Sequence, residues 1–223
     1  MNFNKYMIVY EKDDKRVDNY NKINSIIGCN KFPAIDSVNF FNKFCSFGKE
    51  NKYITQDYLN KIGKYSGKLG CLLSHVLLLK DILENSTTDW NLILEDDTEV
   101  IDYDKTKINN ILEKANDNNS NYIQLYTNNK FYNLQVRQAK ISDNLYKMAR
   151  QWGTCTYLIN KEGIKFLLSR LPFHLDIDMI INSHIKSLNA FCWINNMFVT
   201  KGSSTLSDKN SKFGSLIWKV KSK

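Results

Sequence analysis

Glu95, Asp96 and Asp97 stand in succession after the apolar run Leu92-Ile93-Leu94, inside the stretch WNLILEDDTEV. Three adjacent carboxylates repel one another, so something positive should sit opposite them, either a basic side chain or a metal ion. A solvated strand end whose charges cap the next element is the simplest reading. An acidic P-loop strand would need G-x-x-x-x-G-K-[ST]. The nearest stretch, GKYSGKL from Gly63 to Leu69, has the wrong glycine spacing and Leu69 at the hydroxyl position. A phosphoacceptor receiver domain would need a further strand-end Asp, and LQVRQAK around Arg137 offers no carboxylate. A divalent cation bridging the protein to a sugar-nucleotide diphosphate fits better. Carboxylate oxygens are hard ligands for Mg²⁺ or Mn²⁺, and open α/β sheets bind ligands beyond the carboxyl ends of their strands.

The elements that would position the triplet can be read from hydrophobic period. Tyr6–Tyr10 reads as a buried strand, followed by a helix near Lys15–Ile27 and a short strand within Lys31–Val38. Residues 39–66 show weak periodicity and read as irregular, with at most one short helix. From Lys68 to Leu83, apolar residues recur at three and four, which predicts a helix with one apolar face. Asn91–Leu94, Tyr122–Tyr126 and Thr154–Ile159 read as strands. Lys105–Ala115, Lys161–Arg170 and Ile177–Leu188 read as helices, and Cys192–Val199 as extended. Strands alternating with helices predict an α/β fold, a mostly parallel sheet with helices on both faces.

The 223 residues suit one domain, expected over residues 1–208, with a basic tail from 209 to 223. With 43% hydrophobic and 13% aromatic residues the chain can build a core, which excludes general disorder. Of the net charge of +8, five come from Lys209, Lys212, Lys219, Lys221 and Lys223. The remainder is nearly balanced, which argues against a nucleic-acid-binding face. Those lysines with Leu216, Ile217 and Trp218 form either a solvated terminus or a weak contact with an anionic membrane surface. The five cysteines make no CxxC pair and are not spaced with the histidines as zinc partners, which points to a reducing compartment. Neither a signal-peptide core nor a membrane span is legible, so a cytoplasmic location is expected.

The motifs follow a definite order. GKLGCLLSH precedes NLILEDD by one helix, and YIQLY, GTCTYLINKEGIKFLL, LPFHLDID and VTKGSSTLSD come after it. This succession resembles glycosyltransferase family 25, the bacterial lipooligosaccharide galactosyltransferases and collagen hydroxylysine galactosyltransferases. The resemblance runs from about Tyr6 to Asp208. Cys155 stands where many bacterial members carry His, so no role is carried over to that side chain.

The resemblance implies a GT-A-like, Rossmann-like fold and transfer of a hexose, galactose or glucose, from a UDP-sugar. Its acceptor would be a hydroxyl of a glycan, lipooligosaccharide or protein. It makes Asp97 a direct ligand of Mn²⁺ or Mg²⁺, with Glu95 at the ribose or the metal and Asp96 completing the charge. Tyr10 and Arg16 would lie near the nucleotide base, although Arg16 also reads as a surface charge. Gly67 and Gly70 would let backbone approach a ligand at a helix N-terminus, with Ser74 one turn on. His75 would contact the donor, orient an acidic side chain or be satisfied within the core. Inversion at the anomeric carbon requires a base, for which Asp178 is the candidate, while Asp176 reads as a helix N-cap. His174 and His184 read as surface residues or a further metal ligand. Trp152 and Gly153 would offer a sugar-stacking surface or a buried ring. A catalytically inactive relative that binds nucleotide sugar or glycan is the alternative.

Overall fold

The computed structural model describes residues 1–63, 65–127 and 130–200. The first half of the chain forms β1 (Asn4–Val9), α1 (Asp14–Ile27), β2 (Asn30–Pro33), α2 (Phe41–Glu50), α3 (Gln56–Ile62) and α4 (Ser66–Asn85). Then come β3 (Trp90–Glu95), β4 (Thr98–Val100), α5 (Lys105–Asp117), β5 (Tyr122–Gln124), α6 (Tyr132–Gln135), β6 (Lys140–Ser142) and β7 (Leu145–Lys147). The last elements are β8 (Thr156–Asn160), α7 (Lys161–Leu168), α8 (Ile177–Ser183), β9 (Phe191–Trp193) and β10 (Phe198–Thr200).

Alternation along the strands divides the core between two faces. Tyr6 and Ile8 of β1, Ile93 of β3 and Tyr157 and Ile159 of β8 enter one apolar cluster. Met7, Val9, Leu92, Leu94 and Leu158 enter the other. The first face is covered by α3, α4, α7 and α8, and the second by α1 and α5 through Ile23, Ile27, Ile108, Ile111 and Leu112. Each fully buried aliphatic side chain contributes about 1.5–3 kcal/mol relative to exposure, so both layers are needed to hold a sheet buried on both sides.

The eight-stranded sheet has the order β2-β1-β3-β8-β5-β9-β7-β6, and β4 pairs with β10 in a separate two-stranded sheet. β1 is parallel to β2 and β3, and β5 is parallel to β9. β8 is antiparallel to β3 and β5, and β7 is antiparallel to β9 and β6. Six strands (β2, β1, β3, β5, β9, β6) therefore run one way, and β8 and β7 are reversed. The expected α/β architecture, a mostly parallel sheet with helices on both faces, is present.

Several local expectations are corrected. Residues 39–66 are not irregular but hold α2 and α3. Phe41, Phe44 and Phe47 recur at three and pack on the first cluster, and the Thr55 hydroxyl caps α3 by accepting from Tyr58 N–H. The helix beginning at Ile177 ends at Ser183 rather than Leu188. The extended segment Cys192–Val199 is two short strands in different sheets. β6 and β7 form a hairpin around Asn144, whose φ of 61° is left-handed, a conformation that Asn tolerates. α4 exceeds its expectation: Ser74, His75 and Leu78 are buried as well as the predicted apolar stripe.

Among the described residues no helix is long and apolar enough to cross a membrane. The basic tail 209–223, with Trp218, lies outside the described residues.

Gly163 fixes how closely α7 approaches the start of β5. An added Cβ would stand 2.5 Å from the Asn121 carbonyl oxygen and 2.9 Å from Ile159 Cγ1. Gly163→Ala is expected to cost about 1–3 kcal/mol through overpacking. Thermal denaturation checks this: Tm should fall by several degrees at about 2–4 °C per kcal/mol. An unchanged Tm would show that this approach is not constrained.

Candidate active site

β3 carries the acidic triplet to the carboxyl end of the sheet, and its neighbours fix what surrounds it. Ile8 of β1 is in register with Glu95, so the chain leaving β1 passes beside the triplet into α1. Tyr10 N–H donates to Asp96 Oδ2 at 2.7 Å, and the Arg16 guanidinium pairs with Asp96 Oδ1. The Asn19 side-chain amide donates to the carbonyls of Asp96 (2.9 Å) and Thr98 (2.8 Å), fixing the backbone on either side of Asp97. Burial pushes the Asp96 carboxyl above its ordinary range, while Arg16 and the Tyr10 amide oppose that shift.

Glu95 is held from two other elements. Its Oε1 accepts from Thr154 Oγ1 at 2.6 Å and lies 3.3 Å from His75 Nε2. Burial acts to raise the Glu95 carboxyl, but the bonds and charge of His75 and the Thr154 hydroxyl outweigh it, and the net direction is downward. An ionised carboxylate only accepts, so His75 donates through Nε2, and its Nδ1 lies 2.9 Å from the Tyr157 hydroxyl oxygen. The His75 ring also stacks on Tyr157, with centroids 5.7 Å apart.

Asp97 is supported only by its own backbone amide and the more distant Arg16 charge among the described residues. Its Oδ1 is buried with no hydrogen-bond partner among them. Burial, then the charges of Glu95 and Asp96, push its carboxyl up to about 7. Orphaned buried polar atoms are uncommon in native structures and call for a partner. An oxygen ligand waiting at a strand's carboxyl end beside two further carboxylates suits a hard divalent cation.

The triplet lines a cleft of about 790 Å³, and Asp176, Asp178 and Trp152 also line it. Asp176 occupies the N-cap position of α8, yet its side chain makes no capping bond. Instead it accepts from Tyr58 O–H at 3.0 Å and from Lys68 Nζ at 2.7 Å. The N-cap expectation is therefore right about position and wrong about the bond. Asp178 Oδ2 accepts from Gly153 N–H at 3.1 Å, and burial raises its carboxyl. Trp152 is 49% exposed at the cleft, with the Arg150 guanidinium 5.4 Å from its ring, so it is not a buried core ring.

The sequence-predicted residues Tyr10, Arg16, Gly70, Ser74, His75, Glu95, Asp96, Asp97 and Asp178 all line this one cleft. Two are committed to the chain itself. A Cβ on Gly70 would lie 2.5 Å from Ser37 Oγ and 2.7 Å from the Ile35 carbonyl, so the close approach there is by the protein's own loop. The Ser74 hydroxyl donates to the Gly70 carbonyl at 2.6 Å and accepts from Ile35 N–H at 2.8 Å. Gly70 and Ser74 thus seat the chain's own 35–37 loop while lining the cleft. Arg16, beside Asp96 and Asp13, is not a free surface charge. His174 and His184 are outside the cleft lining, and His184 packs edge-on against Phe166. Thr154, Tyr157 and Lys68 received no role from sequence. The Thr and Tyr of GTCTY were the available signal, because a strand antiparallel to β3 delivers its first residues to the triplet.

The raised Asp97 carboxyl has a consequence for stability. Its folded value, about 7, exceeds the ordinary 3.8, so its protonated form favours the metal-free fold. That contribution is fully present below about 4 and is lost as pH rises through about 7. Asp97→Asn should therefore be increasingly more stable than the parent chain across this window when no divalent cation is added. Thermal unfolding in chelator at several pH values tests it, and a Tm difference independent of pH would contradict it.

Comparison with known proteins now adds to the geometry. A protein of Haemophilus influenzae, provisionally named a glycosyltransferase, is 29% identical over 132 residues. The aligned segment is 57% of this chain and 45% of that protein, so the chain matches less than half of that relative's length. The model of glycosyltransferase family 25, described as an LPS biosynthesis protein, matches residues 3–181. That span takes in β1, the Gly-x-x-Gly-Cys-x-x-Ser-His helix, the acidic triplet and Asp178, and the chain belongs to glycosyltransferase family 25.

Proposed function

We propose that the chain transfers a hexose, galactose or glucose, from a UDP-sugar to a hydroxyl of a glycan, lipooligosaccharide or protein acceptor. The reading includes Mn²⁺ or Mg²⁺ as cofactor and inversion at the anomeric carbon. The single observation that carries it is the buried, unpartnered Asp97 Oδ1 at the carboxyl end of β3. When bound there, a divalent cation supplies positive charge to the departing diphosphate.

The chain's own residues divide the remaining work. Asp97 offers the ligand oxygen, while the paired Asp96 holds the strand end in place through Arg16 and Tyr10. His75 and Thr154 orient Glu95 from opposite elements, so its carboxylate is presented in one position rather than swinging toward Asp97. Trp152 presents an exposed aromatic face suited to the apolar face of a sugar ring.

Asp178 is assigned the base. Burial makes its carboxylate more basic than a surface Asp, and among the described residues it accepts from the Gly153 and Met179 amides. As the acceptor oxygen bonds to the anomeric carbon, the bond to the diphosphate oxygen breaks and the hydroxyl proton passes to Asp178. Asp176 is instead tied to the Lys68 ammonium and the Tyr58 hydroxyl, an ion pair and a hydrogen bond that hold α8 against α4 and α3.

A screen of nucleotide sugars for Mn²⁺-dependent donor hydrolysis tests the reading without knowledge of the acceptor. UDP-galactose or UDP-glucose should be turned over, and inertness toward every donor would contradict transfer. With the active donor, Asp178→Asn should keep donor affinity and lose turnover by about 10²–10⁴. Loss of donor affinity with turnover retained at saturation would instead place Asp178 in the donor site.

A further inference from the structure

Cys71 and His75 are four residues apart on α4, which sets both side chains on one face of the helix. Glu95 reaches the same point from β3. One ligand atom from each of the three lies within 4.8 Å of the others. Zinc bonds of about 2.0–2.3 Å require tetrahedral ligand separations of about 3.3–3.8 Å, so contraction by about 1 Å would close the set. Cys71 is partly exposed and lines the cleft, which provides an entry path and room for a fourth ligand.

We propose that Cys71 Sγ, His75 Nε2 and a Glu95 carboxylate oxygen form a three-ligand site for Zn²⁺ or a similar borderline-soft divalent cation. The site shares Glu95 with the donor cleft but does not use Asp97, and it rests on these three side chains. A thiolate and an imidazole select zinc over Mg²⁺ or Mn²⁺, which prefer oxygen. Tyr157 suits both states of the ring. To a neutral ring protonated on Nε2 its hydroxyl donates at Nδ1; with metal on Nε2, the proton sits on Nδ1 and the hydroxyl accepts it. Binding forms a metal–sulfur bond and releases the thiol proton to solvent. Because it also draws Glu95 from Thr154, zinc at this point should inhibit whatever reaction uses the Glu95 carboxylate.

The test is titration of the full, reduced, metal-free chain with Co²⁺ under anaerobic conditions. One equivalent should produce a sulfur-to-cobalt charge-transfer band in the near ultraviolet and strong four-coordinate d–d absorption, both abolished by Zn²⁺. Cys71→Ser should remove the charge-transfer band, and Cys155→Ser should keep it. His75→Gln should weaken Zn²⁺ binding at least tenfold. Absence of the band in the parent chain, or its survival in Cys71→Ser, overturns the proposal. Should Cys71→Ser fail to fold, alkylation of the parent chain read by mass spectrometry decides the matter. Zn²⁺ should protect Cys71 selectively, and equal labelling with and without Zn²⁺ overturns it.

Discussion

Two unit charges about 4 Å apart repel by about 4 kcal/mol at an effective dielectric of about 20, so a strand ending in three carboxylates needs a separate answer for each. Asp96 has the Arg16 guanidinium and the Tyr10 amide. Glu95 has His75 and Thr154. Among the described residues Asp97 has no partner at its buried Oδ1, and burial with the charges of Glu95 and Asp96 pushes its carboxyl up to about 7. The arrangement around the site follows from how these answers are delivered. β1, parallel to β3, brings the loop that leads to Arg16. α4, packed on the sheet, brings His75. β8 is reversed, so its beginning rather than its end meets the triplet, and Thr154 and Cys155 arrive there. The Cys155 carbonyl accepts from Glu95 N–H at 2.9 Å and from Thr98 Oγ1 at 2.9 Å, which ties both ends of the acidic turn to β8.

The same logic applies to two further carboxylates of the cleft, only two residues apart. Asp176 is paired with a lysine and a buried tyrosine, whereas among the described residues Asp178 meets amide donors alone. Their environments differ because α8 turns Asp176 toward α3 and α4 and Asp178 toward the segment before β8. Acids so placed can take separate roles, one holding elements together and the other available to accept a proton.

Much of this was legible in the sequence, because the strongest signals were periodic. β1, α1, α4, β3, α5 and α7 follow from apolar spacing, and the triplet's position at a strand end follows from Leu92-Ile93-Leu94. Reversal of β8 was not legible. Strand direction is set by tertiary pairing, and a buried strand reads alike in either sense. The roles of Thr154 and Tyr157 were hidden for that reason. α2 was missed because its aromatic residues recur at three within a polar, asparagine-rich context that blurs the apolar stripe. Gly70 and Ser74 show a different limit. The family resemblance put them at the cleft, but only the approach of Ile35 and Ser37 reveals that they seat a loop.

The claim on which the account rests is that Asp97 completes its bonding with a divalent cation carried with the donor diphosphate. Isothermal titration of UDP in the presence and absence of Mn²⁺ tests it most directly, comparing the parent chain with Asp97→Asn. The account predicts Mn²⁺-dependent UDP binding by the parent chain, and its loss in Asp97→Asn with the circular dichroism spectrum unchanged. Equal affinity of the two proteins for UDP with Mn²⁺ would contradict it.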